Sequence, residues 1–442
     1  MNSPNISSHT ISRRSFGRGA LGLGLGLAGL PALLAACGGG SGAGEGKLAV
    51  LAPAPPDPTP VGVADFGAAA EESFKKWQAD RSVEVVYDAL PWPQLRDRIA
   101  TTFASGTAGP DVLYMGGWIP EFSDKLSSLG AMIPKELIAD IPSTAIESTT
   151  WDGELKGLVF TNSVLSLYYN TEHFEKAGLK GPPANWQEFK DYTKELNRDG
   201  QYGFVLNYGD PVGVGGTASY WMVFLQQAGG TMYGQDGMPA FNTPEGVEAL
   251  QFMIDLAKGG MDPASISYVG INDAAGVFLS GKASMMWNWP LTWSQAQKPD
   301  QSSIVGKVGA AVLPAGPAGT ASLDGGDAWS VATTAADQQL AADLIQFYLS
   351  PEQQKAQVLQ TGWLPILSSV LADPEVQKAS PNAAAVAEQR KGPCNAFITP
   401  DYTQVTQAVG TEVQAALQGT KTAAQAIGDA EKSVRDIVSQ RS

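Results

Sequence analysis

Two hydrophobic periods alternate along this chain. "KLAVLAP" (47–53) and "VEVVYDAL" (83–90) are β-rich runs bounded by breakers and predict strands. Between them "DFGAAAEESFKKWQAD" has helical character, and the alternation returns in "PQLRDRIATTFASG" followed by "DVLYMGG". "WDGELKGLVF" predicts a hairpin turning at Asp152-Gly153. Helix starts are marked locally. Asn185 has Glu188 three residues on, a capping-box spacing. Thr243 and Ser350 each precede a proline at the first helical position, and Gly178 and Gly259 close helices. The pattern predicts an α/β protein with a largely parallel sheet covered by helices on both faces.

The chain before Lys47 has a different pattern. Arg13 and Arg14 form a twin-arginine pair, an apolar run interrupted by glycine follows to Ala36, and Leu34-Ala35-Ala36-Cys37 closes it. A charged region, an apolar region and small residues before a cleavage point describe an export signal, here residues 1–36. The apolar run is short for a membrane-spanning helix, which needs roughly 20 strongly apolar residues. Leu-Ala-Ala-Cys followed by Gly resembles a bacterial lipobox, which implies a lipid on Cys37 and a membrane anchor through it. Cleavage without lipid and an uncleaved anchor are the competing readings. Residues 37–46 read as a flexible Gly/Ser tether. The expected location is the outer side of a bacterial cytoplasmic membrane, exported and lipid-anchored.

Composition narrows the chemistry. Hydrophobic residues make up 43% and charged residues 17%, ordinary for a protein with a real core. The formal net charge of −15 makes nucleic acid and anionic lipid poor partners. Only His9 and His173 are present, and His173 reads as a solvated residue at a polar helix start. Histidine-based catalysis and histidine-bearing metal sites are therefore disfavoured, and no cofactor or metal is predicted. Cys394 stands alone in the body as a small buried hydrophobe, so no internal disulfide is expected.

Several blocks then occur in a known order: "FASGTAGPDVLYM", "YYNTEHFEKAGL", "FNTPEGVEALQFMIDL", "FLSGKASMMWNWP", "LDGGDAWSVATTAADQQLAADLIQFYLSPEQQ" and "TGWLPI". This series resembles the family 1 extracellular solute-binding proteins of ABC importers, the carbohydrate-type group. The resemblance implies a two-lobed α/β fold with a central cleft and interlobe hinge strands. The lobes are expected at 47–161 with 312–363, and at 164–309 with 366–442, with crossings near Thr161–Val164, Gly309–Val312 and Trp363–Ile366. It implies no enzyme activity, a small-molecule carbohydrate ligand, delivery to the transmembrane subunits of an ABC permease, and a monomer.

A pyranose has an apolar C–H face and a hydroxyl rim, so its site needs flat aromatic plates and paired polar groups. Trp118 follows "DVLYMGG" past a strand end, the usual ligand edge of an open α/β sheet. Trp287 and Trp289 lie in "MMWNWP", where stacking and packing compete, and family proteins often place a stacking aromatic there. Tyr220 and Trp221 open a helix after a glycine-rich loop. Asn162 and Ser163 fall at the expected hinge. "LDGGDAW" offers the Gly326 amide and the Asp327 carboxylate. Tyr402 matches a position where a family aromatic touches sugar, and Asp57 lies in the loop after the first strand. Two rival readings remain. One is a different polar metabolite, such as a glycerol phosphodiester or a polyamine. The other is a surface glycosidase using two carboxylates. A phosphate ligand would want Arg or Lys in the cleft, and no such residue is evident.

Overall fold

The computed structural model describes residues 46–53, 63–79, 81–106, 109–210, 216–394 and 399–441. Cys37, the leader, Asp57 and most of the tether lie outside the described residues. Among those residues no helix is long and apolar enough to cross a membrane.

The described strands, in chain order, are β1 (Lys47–Pro53), β2 (Glu84–Leu90), β3 (Val112–Met115), β4 (Thr150–Trp151), β5 (Glu154–Leu155), β6 (Leu158–Val159), β7 (Ser166–Asn170), β8 (Tyr202–Val205), β9 (Ala283–Asn288), β10 (Val308–Ala311) and β11 (Ala328–Val331). They form a five-stranded sheet ordered β2-β1-β3-β11-β6, a four-stranded sheet ordered β10-β7-β9-β8, and the β4-β5 hairpin. The hairpin turns where expected, with Asp152 and Gly153 both at positive φ (51° and 76°). Each large sheet is the centre of one lobe.

The sheets are mixed rather than largely parallel. β1 runs parallel to β2 and β3, and β8 runs parallel to β9. β11 is antiparallel to β3 and β6, while β7 is antiparallel to β9 and β10. The reason is connectivity. A strand fed by a helical crossover enters parallel to its predecessor. β7 and β11 instead follow segments arriving from the other lobe.

The predicted helix starts are present. The Asn185 side chain accepts from Glu188 N–H and opens Trp186–Glu195. Thr243 caps Pro244–Lys258, Ser350 caps Pro351–Thr361, and Gly178 ends Thr171–Ala177 at φ 73°. The His173 side chain differs from expectation. It is buried, its Nδ1 lies 2.9 Å from Ser284 Oγ, and burial and then Lys176 hold its pKa down.

The lobes are joined around one segment, Phe160–Leu165. On one side Phe160 N–H donates to Asp327 C=O, Gly325 N–H to Ser163 C=O, and Leu165 N–H to Leu323 C=O. On the other side Asn162 N–H donates to Leu364 C=O at 2.9 Å, and Thr161 pairs with Pro365. Gln354 bridges the segments. Its Nε2 donates to Phe160 C=O and its Oε1 accepts from Ile366 N–H, both at 3.0 Å.

These bonds favour different positions for two of the expected lobe boundaries. After β10 the chain stays with the second lobe: Trp186 N–H donates to Ala315 C=O and Gln227 Nε2 to Ala321 C=O. We propose that the second crossing is Leu323–Asp327 rather than Gly309–Val312. Beyond Ile366, helices Ser368–Leu371 and Pro374–Ala379 rest against Pro351–Thr361 in the first lobe. The chain reaches the second lobe at Asn382, whose Nδ2 donates to Tyr168 Oη and Pro290 C=O. The third crossing is accordingly placed near Ser380–Asn382.

Close approach of backbone sets the second sheet. A Cβ on Gly203 of β8 would lie 1.8 Å from Thr193 C=O, on the helix above. Gly203→Ala is expected to cost at least about 2 kcal/mol through overpacking. Urea unfolding should show a lower midpoint with an unchanged slope, and a midpoint equal to wild type would contradict this packing.

Candidate ligand site at the lobe junction

The two sheets bring their loop-bearing edges to the Phe160–Leu165 segment. In the first sheet Met115 is paired with Ala328, so the Gly116–Trp118 loop and Asp327 leave by the same edge. In the second sheet Asn288 is paired with Ser166, so Trp289 leaves beside the crossing segment. Asn162 and Ser163 lie between these edges. Of the predicted residues, Asn162, Ser163 and Asp327 are brought into one hydrogen-bonded group with Gly326 in the turn before Asp327, while Trp118 and Trp289 follow neighbouring strand ends and are buried, 4% and 6% exposed.

Asp327 is the partly buried polar centre of this junction. Its Oδ1 accepts from Tyr114 Oη, and its Oδ2 accepts from Ser163 Oγ at 2.8 Å. The turn that delivers it needs glycine. Gly326 has φ 65°, and a Cβ on Gly325 would fall 2.9 Å from Ser163 Cβ. Burial pushes the Asp327 carboxyl above the usual aspartate range, the Tyr114 and Ser163 hydroxyls oppose this, and Asp324 adds to it.

Asp324 and Arg390 lie behind Asp327. Arg390 Nη1 donates to Asp324 Oδ2 at 2.7 Å, and the two side chains are 7% and 2% exposed. Arg390 Nε donates to Asn162 Oδ1 at 2.8 Å, and Asp324 Oδ1 accepts Gly326 N–H at 3.1 Å. Removing one member of a buried ion pair leaves the other unpaired, typically at a cost of about 3–5 kcal/mol. The charge on Arg390 is therefore already matched. Tyr114, Asp324 and Arg390 were not selected from sequence. Asp324 lay within the quoted "LDGGDAW", but Arg390 carries no local signal.

The remaining candidates lie within the second lobe. Trp287 is 1% exposed, with Phe224 and Phe189 centroids at 4.8 and 5.7 Å and Phe204 edge-on. Trp221 is fully buried, edge-on to Phe241, with Nε1 donating to Gly246 C=O. Both indoles serve as packing here, so the stacking role expected of them does not match this arrangement. Tyr220 donates to Asn207 Oδ1 at 2.8 Å and packs edge-on to Tyr208. Tyr402 is buried with its hydroxyl beside Ser219. Tyr220 lies on helix Thr217–Ala228, and Tyr402, which opens helix Tyr402–Leu417, meets that helix at Ser219. A separate open groove of about 1000 Å³ runs between Trp186, Phe252 and Pro317 and contains none of the predicted residues. Among the described residues no group of His, Cys, Asp and Glu has the makings of a metal site.

Two α/β lobes joined by paired crossing segments, with polar groups at the junction, define the two-lobed solute-binding class. Residues 62–355 match the bacterial extracellular solute-binding protein family, and the chain belongs to it. It is 29% identical over 275 residues to the probable ABC transporter-binding protein of Deinococcus radiodurans, covering 60% of this chain and 64% of that one. It is 24% identical over 313 residues to the maltotriose-binding protein of Pyrococcus abyssi, covering 67% and 62%. The matches thus span less than two thirds of either relative. Among solved structures, maltose-bound T. maritima MalE3 superposes with a TM-score of 0.79 at 26% identity, covering 88% of this chain and 99% of that one.

Two outcomes follow. Trp287→Ala should lose about 3–5 kcal/mol of stability in urea unfolding, and a loss below about 1 kcal/mol would remove Trp287 from the core. Asp327→Asn should be more stable than wild type at neutral pH. The folded pKa of Asp327 lies above its unfolded value, so the native state holds the proton more tightly. Its ionisation then erodes stability as pH rises from the ordinary aspartate range through the folded value. The advantage of Asn should vanish below about pH 3.5. Equal differences at pH 7 and pH 3.5 would contradict a strained carboxylate.

Proposed function

We propose that this chain is the substrate-binding component of an ABC importer, capturing a sugar, oligosaccharide or polyol between its lobes and handing it to the permease. The carrying observation is the junction itself. Asp327, Ser163 and Asn162 sit in one hydrogen-bonded group on the segments that join the lobes. A hydroxyl can both donate and accept, so a polyol matches such a mixed surface with few unpaired groups. Trp118 and Trp289, at the same edges and buried at 4% and 6% exposure, are the aromatic surfaces proposed to cover its C–H face once the lobes part enough to uncover them.

The cycle is capture, lobe closure, docking and release, with no bond made or broken. A monomer, a twin-arginine export signal and a lipid on Cys37 complete the reading, tying the body to the outer face of the cytoplasmic membrane. The maltose and maltotriose in the names of similar proteins support the ligand class. The rival readings have less support. A glycosidase needs a free acid beside a second carboxylate, and Asp324 is held by Arg390. A phosphodiester needs an uncommitted cation, and Arg390 spends Nη1 on Asp324 and Nε on Asn162, with only its buried Nη2 unbonded among the described residues.

Calorimetry and tryptophan fluorescence with maltose, maltotriose, mannitol and sn-glycerol 3-phosphate should show a neutral member of the panel binding at micromolar Kd or tighter. No neutral ligand binding below about 1 mM would end the sugar and polyol reading. Product release from maltotriose, detected by mass spectrometry, would favour the glycosidase.

A further inference from the structure

Arginine carries five N–H donors and no acceptor. The Asn162 atom facing Arg390 Nε at 2.8 Å is therefore the amide oxygen. A flip of that amide would set donor against donor. Its Nδ2 hydrogens are directed away from the guanidinium, and no described residue accepts them. The guanidinium is in turn held by Asp324, and Asp324 also accepts the Gly326 amide of the turn that carries Asp327. One polar chain thus runs from Asn162 through Arg390 and Asp324 to Gly326 and Asp327. Its two ends, Asn162 and Asp327, are groups in the proposed site. Its middle is withdrawn from solvent.

The ends differ in kind. Asn162 is left as a donor. Asp327 is an acceptor when ionised, and Ser163 Oγ already spends its hydrogen on it. Two carboxylates and one guanidinium give the chain one net negative charge when all are ionised. A hydroxylated neutral solute can accept from Asn162 and donate to Asp327. A phosphate oxygen can do only the first, and it meets a like charge at the second.

We propose that Arg390 is a positioning residue for solute recognition, which holds Asn162 as a donor opposite the Asp327 acceptor and so selects neutral hydroxylated solutes over anionic ones. The inference rests on the proposed cleft reading.

Two measurements test it. In ligand-free protein labelled with ¹⁵N-arginine, the Arg390 Nε–H should exchange slowly with water. Asn162→Ala should speed that exchange by about tenfold or more. With maltose and maltotriose as probes, Arg390→Lys keeps the charge but loses the planar fork, and should weaken binding about tenfold. In an Asn162→Ala background the same change should have less than about a twofold effect, because the residues act through one contact. sn-Glycerol 3-phosphate should bind more weakly to wild type than either sugar. Additive losses in the double-mutant cycle, exchange indifferent to Asn162→Ala, or tighter binding of the phosphate would each overturn the proposal. If wild type binds none of maltose, maltotriose and mannitol while the exchange result holds, the cleft reading fails and the Arg390–Asn162 geometry survives it.

Discussion

Segment Phe160–Leu165 passes between two lobes with partners along both of its edges, and that pairing constrains everything around it. Its backbone groups are buried, and a buried N–H or C=O without a partner is costly. Leu323–Asp327 satisfies one edge and Leu364–Pro365 the other. Both partners come from far along the chain, so the junction forms only when the lobes are assembled. The proposed lobe closure would then bend these strands without unpairing them.

The side chains of the same segment reach in different directions. Thr161 Oγ1 turns to Leu364 C=O, Asn162 meets Arg390, and Ser163 meets Asp327. The crossing strand is thus both the mechanical link and the carrier of polar groups. Rigid placement on paired backbone holds a recognition group more accurately than a free loop. The second lobe supplies a different resource. Phe189, Phe204, Phe224 and Trp287 fill the space beneath its helices, giving that lobe a closely packed aromatic interior.

Local features were legible in the sequence. Caps at Asn185, Thr243 and Ser350 and the turn at Asp152-Gly153 depend on residues three or four apart, so their signals survive without tertiary information. Strand direction did not survive, because whether a strand follows a helix or a crossing depends on the whole topology. The proposed move of the lobe boundary from 312 has a related reason. The segment 313–321 is bound by Gln227 and Gln389, residues distant in sequence. Asn162 and Ser163 were expected from their place at the first crossing, and Asp327 from the glycine-rich "LDGGDAW" turn. Arg390 was not, since its partners are 66 and 228 positions away. Trp287 shows the limit of alternation. β9 is buried on both faces, and period-two spacing cannot separate a face under a helix from one lining a cleft.

The buried Cys394 has a practical meaning. Its thiol donates to Gln389 C=O, and burial pushes its pKa up to about 12. Thiolate is the reactive form, so at neutral pH this sulfur is nearly inert to maleimides and to disulfide exchange. In a protein produced from Lys47 onward it is the sole cysteine. Dye pairs can therefore be attached to engineered surface thiols, one on each lobe, in an otherwise native background. Single-molecule energy transfer could then time the opening and shutting of the two halves.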